Sequence, residues 1–161
     1  MNMNRRALIL VLFAISCAFG QEVDAPKNAT ELYGNEALEI IATPDVVYAV
    51  LLRDRDGEVS ERGKRVQLDN ETQRNLSGIL ISDGTYGWDI WKPCMPVYGV
   101  RLVFQKKEIS IPLDFCFDCD ILRVVRPSNY DVVEDFDSAR EGFLSIFKQV
   151  FPRDRMIQRI K

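Results

Sequence analysis

Cys94, Cys116 and Cys119 are the residues of this chain best able to do chemistry, and all three fall in one stretch, CMPVYGVRLVFQKKEISIPLDFCFDC. The last two form a Cys-x-x-Cys pair. Three chemistries fit that set. The first is a disulfide: thiols in an oxidising compartment pair, and Phe117-Asp118 as a tight turn brings Cys116 and Cys119 within reach of each other. Cys94 is the competing partner, since a bond from it to either member closes a much longer loop, worth about 3 kcal/mol in the chain-entropy model. Spacing alone leaves the connectivity open. The second is thiol redox. An active Cys-x-x-Cys uses the positive start of a helix to stabilise its thiolate, whereas here strand-like sequence flanks the pair and Asp114, Asp118 and Asp120 surround it with negative charge. The third is a zinc site of three thiolates, Cys94, Cys116 and Cys119, with Asp118 as an unusual fourth ligand.

Histidine is absent. That removes Ser-His-Asp and Cys-His nucleophilic systems, imidazole metal ligands and the commonest general base together. Enzymatic readings lose most of their support, and no catalytic, cofactor-binding or metal residue is assigned. Asp54-x-Asp56-Gly57 lacks the later positions of a calcium loop and reads as a surface turn. The acidic run Asp131, Glu134, Asp135 and Asp137 is expected to be a set of helix-start carboxylates. Trp88 and Trp91, in the aromatic loop YGWDIWKPCMP, can line a ligand groove or cap the edge of the core.

Periodicity supplies the elements that would hold these residues. Residues 37–43 and 46–52 are rich in Ile, Val, Leu and Tyr and read as strands; 53–63 is a charged loop, and 64–68 the returning strand. Asn70-x-x-Gln73 is a capping box ahead of Leu76, Ile79 and Leu80 at helical spacing. Val100, Leu102 and Phe104, then Ile109, Ile111, Leu113, Phe115 and Phe117, alternate as a hairpin with one buried face. Residues 121–125 read as a third strand of that group. Ser138-x-x-Glu141 caps a last helix carrying Phe143, Ile146, Phe147 and Val150. The expected fold is two-layer α+β, a mostly antiparallel sheet of about five strands covered by two helices, in a single domain over residues 37–161.

The first residues read differently. Asn4-Arg5-Arg6 precedes a continuous apolar run from Ala7 to Ile15, the form of a secretory signal. Ala18-Phe19-Gly20 offers ordinary cleavage after residue 20, while Ala14-Ile15-Ser16-Cys17 resembles a lipobox that would make Cys17 a lipidated first residue, with the signal ending at 16. Residues 21–36 are expected to be a flexible tether. Without Arg5 and Arg6 the 21 basic residues fall by two against 24 acidic ones, leaving a net charge of about −5. An acidic chain with no Lys/Arg cluster interleaved with aromatics is a poor fit to nucleic acid. Membrane attachment is expected only through Cys17.

Asp83-Gly84-Thr85-Tyr86, Lys92-Pro93-Cys94-Met95-Pro96, Tyr98-Gly99-Val100-Arg101 and Phe115-Cys116-Phe117-Asp118-Cys119-Asp120 together resemble a group of small exported bacterial proteins. That group carries a Cys-x-Pro segment, a hairpin and a Cys-Phe-x-Cys pair. The resemblance spans about residues 45–160 and implies a periplasmic, secreted or lipid-anchored envelope protein, with no catalytic residues to carry over. The expectation is a non-enzymatic interaction or binding module for an envelope protein or a small ligand. A thiol-redox or thiolate-zinc protein is the alternative.

Overall fold

Apolar alternation builds one antiparallel sheet. The computed structural model describes residues 27–55, 57–88, 90, 92–126 and 131–161. Their strands are β1 (Val46–Arg55), β2 (Glu58–Gln67), β3 (Val100–Lys106), β4 (Ile109–Cys116), β5 (Ile121–Val124) and β6 (Val132–Asp135), in the order β2-β1-β3-β4-β5-β6 with every neighbour antiparallel. The helices are α1 (Ala29–Tyr33), α2 (Asn35–Ala42), α3 (Asn70–Leu80), α4 (Arg140–Val150) and α5 (Arg155–Arg159). The two-layer α+β expectation is borne out, with six strands and five α-helices among the described residues.

One face of the sheet takes Val47 and Ala49, Val100, Leu102 and Phe104, Leu113 and Phe115, and Leu122 and Val124, all buried. Residues opposite each other across a ladder point the same way, so the register Leu102↔Leu113 and Ala49↔Leu102 stacks these side chains into one apolar layer. The helices bury Leu32, Ile41, Leu76, Leu80, Phe143 and Phe147 against it. Phe115 lies at the centre, its ring 5.7, 5.1 and 5.2 Å from those of Phe136, Phe143 and Phe147 in edge-on contacts. Such pairs add about 0.5–1.5 kcal/mol each beyond area burial.

The other face is a ladder of charge. Asp114, wholly buried, accepts from Arg101 Nε at 2.6 Å and Arg123 Nη2 at 2.5 Å, and Arg123 also faces Asp131 at 3.6 Å. Glu61 and Arg65 on β2 pair at 2.6 Å beside Arg101. Among the described residues, no helical side chain joins the small apolar cluster on this face, which is Leu52, Tyr98, Cys116 and Cys119. The edge strand β2 is exposed along most of its length and studded with Glu58, Glu61, Arg62, Lys64 and Arg65, charges that discourage a further strand from adding.

Several sequence expectations are corrected. Residues 37–43 are not a strand: Ala37, Ile40 and Ile41 recur at helical spacing, and α2 turns that stripe onto the core. The tether expected over 21–36 is structured from α1 onward, where Leu32 and Tyr33 are buried and the Tyr33 hydroxyl meets that of Tyr86, which itself donates to Leu80 O at 2.8 Å. Residues 21–26 and the signal segment, including Cys17, lie outside the described residues. β2 starts at Glu58, immediately after the turn, rather than at residue 64.

Both capping boxes fall out of register. Asp69, one residue before Asn70, caps α3 by accepting from Thr72 N at 2.8 Å, and Gln73 instead donates to Leu68 O. α4 starts after Ala139 with no side-chain cap. Of the acidic run only Asp137 stands at a helix start, opening the 3-10 turn Asp137–Ala139 that leads into α4, whereas Glu134 and Asp135 belong to β6 and are buried. Among the described residues no helix is long and apolar enough to cross a membrane.

Candidate interaction site

β4 ends at Cys116, opposite Ile121 of β5, and residues 117–120 turn between them. Alternation dictates what each does: Phe115 enters the aromatic core, and Cys116 points to the charged face and is fully buried in its apolar cluster. The turn is gripped from the helical side. Arg140 donates to Phe117 O at 2.7 Å, pairs with Asp120 and lies 5.8 Å over the Phe117 ring, while Phe136 N donates to Asp120 O at 2.8 Å. Asp120 adopts φ 54°, a left-handed conformation that Asp tolerates better than most residues.

Onto this turn the aromatic loop is fastened. Cys94 and Cys119 form a disulfide with Cα atoms 6.1 Å apart, and Cys116 stays a buried free thiol. Lys92 reinforces the same point: its Nζ donates to Cys119 O at 2.9 Å and Asp137 Oδ1 at 2.6 Å, and pairs with Asp135. Burial works against the ammonium, yet its hydrogen bonds to Asp135 and Asp137 carry its pKa above the ordinary lysine value. The hydrogen bond from Lys92 in turn holds Asp137 below the usual carboxylate range. Asp120 is pushed up, first by burial and then by its hydrogen bond with Asp137, against the pull of Arg140.

The two ends of the loop are seated as well. At its start Tyr86 is buried, Trp88 packs on it with ring centres 4.9 Å apart, Trp88 Nε1 donates to Asp83 O at 3.0 Å, and Gly87 N donates to Asp135 O. At its end Tyr98 is buried beneath the Arg123 guanidinium, 4.0 Å from its ring centre, and Gly99 bridges Leu52 N and Phe115 O. Burial pushes the Tyr98 hydroxyl up to about 12. Between these seats Ile90 is 53%, Met95 90% and Val97 57% exposed. Pro93 and Pro96 remove two more backbone freedoms from the segment.

Of the residues singled out from sequence, the structure joins Cys94 to Cys119, leaves Cys116 beside them unbonded, and exposes Asp118 in the turn. Among the described residues no three Cys, Asp or Glu side chains gather as metal ligands. A thiolate site built on all three cysteines would require the disulfide to be reduced. Trp88 is occupied by Tyr86 and Asp83; Trp91 lies outside the described residues. Arg140 and the anchoring role of Lys92 carry no spacing signal in the sequence, and Asp135 and Asp137, expected as helix-start carboxylates, are the partners of Lys92. A separate hollow of about 830 Å3 opens between α3 and α4, floored by Ile79 and Ile146, with Arg74 its one charged lining residue. Comparison with protein-family models, curated proteins and solved structures finds no match.

Proposed function

We propose that this is an exported bacterial envelope protein without enzymatic activity, an interaction module whose docking element is Ile90 with the segment 92–97. The observation that carries this reading is an apolar loop held outward by covalent and ionic fastening: Met95, Val97 and Ile90 face solvent while Cys94 and Lys92 are anchored to the β4–β5 turn. Burying each such side chain in a partner is worth about 1.5–3 kcal/mol. Ordering a free segment would cost about 1–2 kcal/mol per residue, so a loop fixed beforehand keeps most of that gain as affinity. Export, by cleavage before Gln21 or by lipidation of Cys17, supplies the oxidising compartment the disulfide needs.

The test is photo-crosslinking in cells that export the protein, with a photoreactive residue replacing Met95 or, as control, Lys64 on the exposed edge strand. Discrete adducts at position 95 that are absent at 64 and fade in the Cys94→Ser/Cys119→Ser protein support docking. Matching adduct patterns at the two positions contradict it.

A further inference from the structure

The free thiol of Cys116 and one half of the disulfide share a compartment. Cys116 and Cys119 both belong to the small cluster with Leu52 and Tyr98, and Val59 and Ile121 pack around it. Cys116 is the last residue before the turn 117–120 and Cys119 lies within it, and the ends of that turn are held in register by Cys116↔Ile121. Three residues apart, their Cα atoms could lie no more than about 11 Å from each other even in an extended chain, and the turn brings them nearer to the span of a disulfide. The third sulfur belongs to Cys94, an exposed residue.

We propose that Cys116 is a built-in exchange partner for the Cys94–Cys119 bond. Its thiolate attacks Sγ of Cys119; the Cys94–Cys119 bond breaks, a Cys116–Cys119 bond forms, and Cys94 leaves as a thiolate. Cys94 takes up a proton equivalent to the one Cys116 released to solvent, so no oxidant or reductant is consumed. The attacking sulfur needs no access from outside, because attacker and target lie in one cluster. Exchange cuts the covalent fastening of residues 92–97 and leaves the Lys92 hydrogen bond to Cys119 O in place. The consequence for docking rests on the function proposed above: a partner that binds the released loop better than the fastened one draws the chain toward the Cys116–Cys119 isomer, and one that prefers the fastened loop holds it back.

The experiment uses the 161-residue chain carrying Cys17→Ser, so that Cys116 is its free thiol. The folded protein is held at mildly alkaline pH with excess iodoacetamide and no reductant, then digested with a protease that cuts before Asp118, placing Cys116 and Cys119 on separate peptides. The expected result is label accumulating on Cys94, with Cys116 linked to Cys119 in the same molecules, at least about tenfold faster than global unfolding exposes buried thiols. Both Cys116→Ala and Cys116→Ser abolish the labelling of Cys94. Label on Cys116 with the Cys94–Cys119 bond intact, or no label before unfolding, overturns the proposal. Failure here with position-95 adducts preserved removes exchange alone; lost adducts with Cys94 labelled remove docking alone.

Discussion

Lys92 Nζ donates to the carbonyl oxygen of Cys119 at 2.9 Å, so the backbone of the residue that takes the Cys94 disulfide also takes the loop's ammonium. A covalent and an ionic tie therefore converge on one turn, and that turn is itself held by Arg140. The arrangement makes the aromatic loop an extension of the folded core rather than a segment hanging from it.

Replacing Cys94 and Cys119 by Ser removes a link between residues 25 apart, and the chain-entropy model gives a loss of about 3–4 kcal/mol. Urea unfolding of the exported protein with and without reductant measures it. The double variant should be insensitive to reductant, whereas the parent should fall to the variant's midpoint when reduced.

Asp114 is the most consequential single charge. It is wholly buried between Arg101 and Arg123, and removing one partner of a buried network leaves uncompensated charge. Asp114→Ala should cost about 3–5 kcal/mol. Arg65→Ala, which breaks the exposed i,i+4 pair with Glu61, should cost no more than about 1 kcal/mol. Equal denaturant shifts for the two would show that Asp114 is solvated.

Asp120 in the turn and Asp137 beside it respond to pH with opposite signs. Asp137, held below its ordinary value by Lys92, contributes stability above the unfolded carboxylate range that is lost as pH falls through its folded value. Asp120, raised by burial and by Asp137, binds its proton more tightly folded than unfolded; its opposition to folding is present at neutral pH and is relieved as pH falls through its raised value. Unfolding midpoints should therefore rise slightly on mild acidification before they collapse. Asp120→Asn should abolish the rise and keep the collapse.

The hairpin of β3 and β4 was legible because strict alternation through Val100, Leu102 and Phe104 and through Leu113 and Phe115 has only one physical meaning when one face is buried. α2 was not, because Ala37 to Ile41 is a short apolar run that suits either element until its burial is known. β6 was hidden by Glu134 and Asp135, whose burial depends on partners distant in sequence, such as Lys92. The cysteine block was legible as a candidate disulfide but not as a connectivity. Cys94 and Cys116 compete for Cys119 equally on spacing, and the tertiary contacts of Lys92 bring the loop to the turn.

Met95 is 90% exposed, so Met95→Asp should leave the unfolding midpoint within about 0.5 kcal/mol of the parent while reducing any adduct formed through Val97. A large loss of stability would mean that the loop packs on its own domain.

Peptide mapping of the unreduced exported protein, alkylated in denaturant at acidic pH to block exchange, reads the fastening of the loop through Cys94 and Cys119. Cleavage before Asp118 separates Cys116 from Cys119. A dominant Cys94–Cys119 linked peptide pair with alkylated Cys116 is expected; a dominant Cys116–Cys119 or Cys94–Cys116 linkage, or three alkylated thiols, would show that the loop is not fastened in this way.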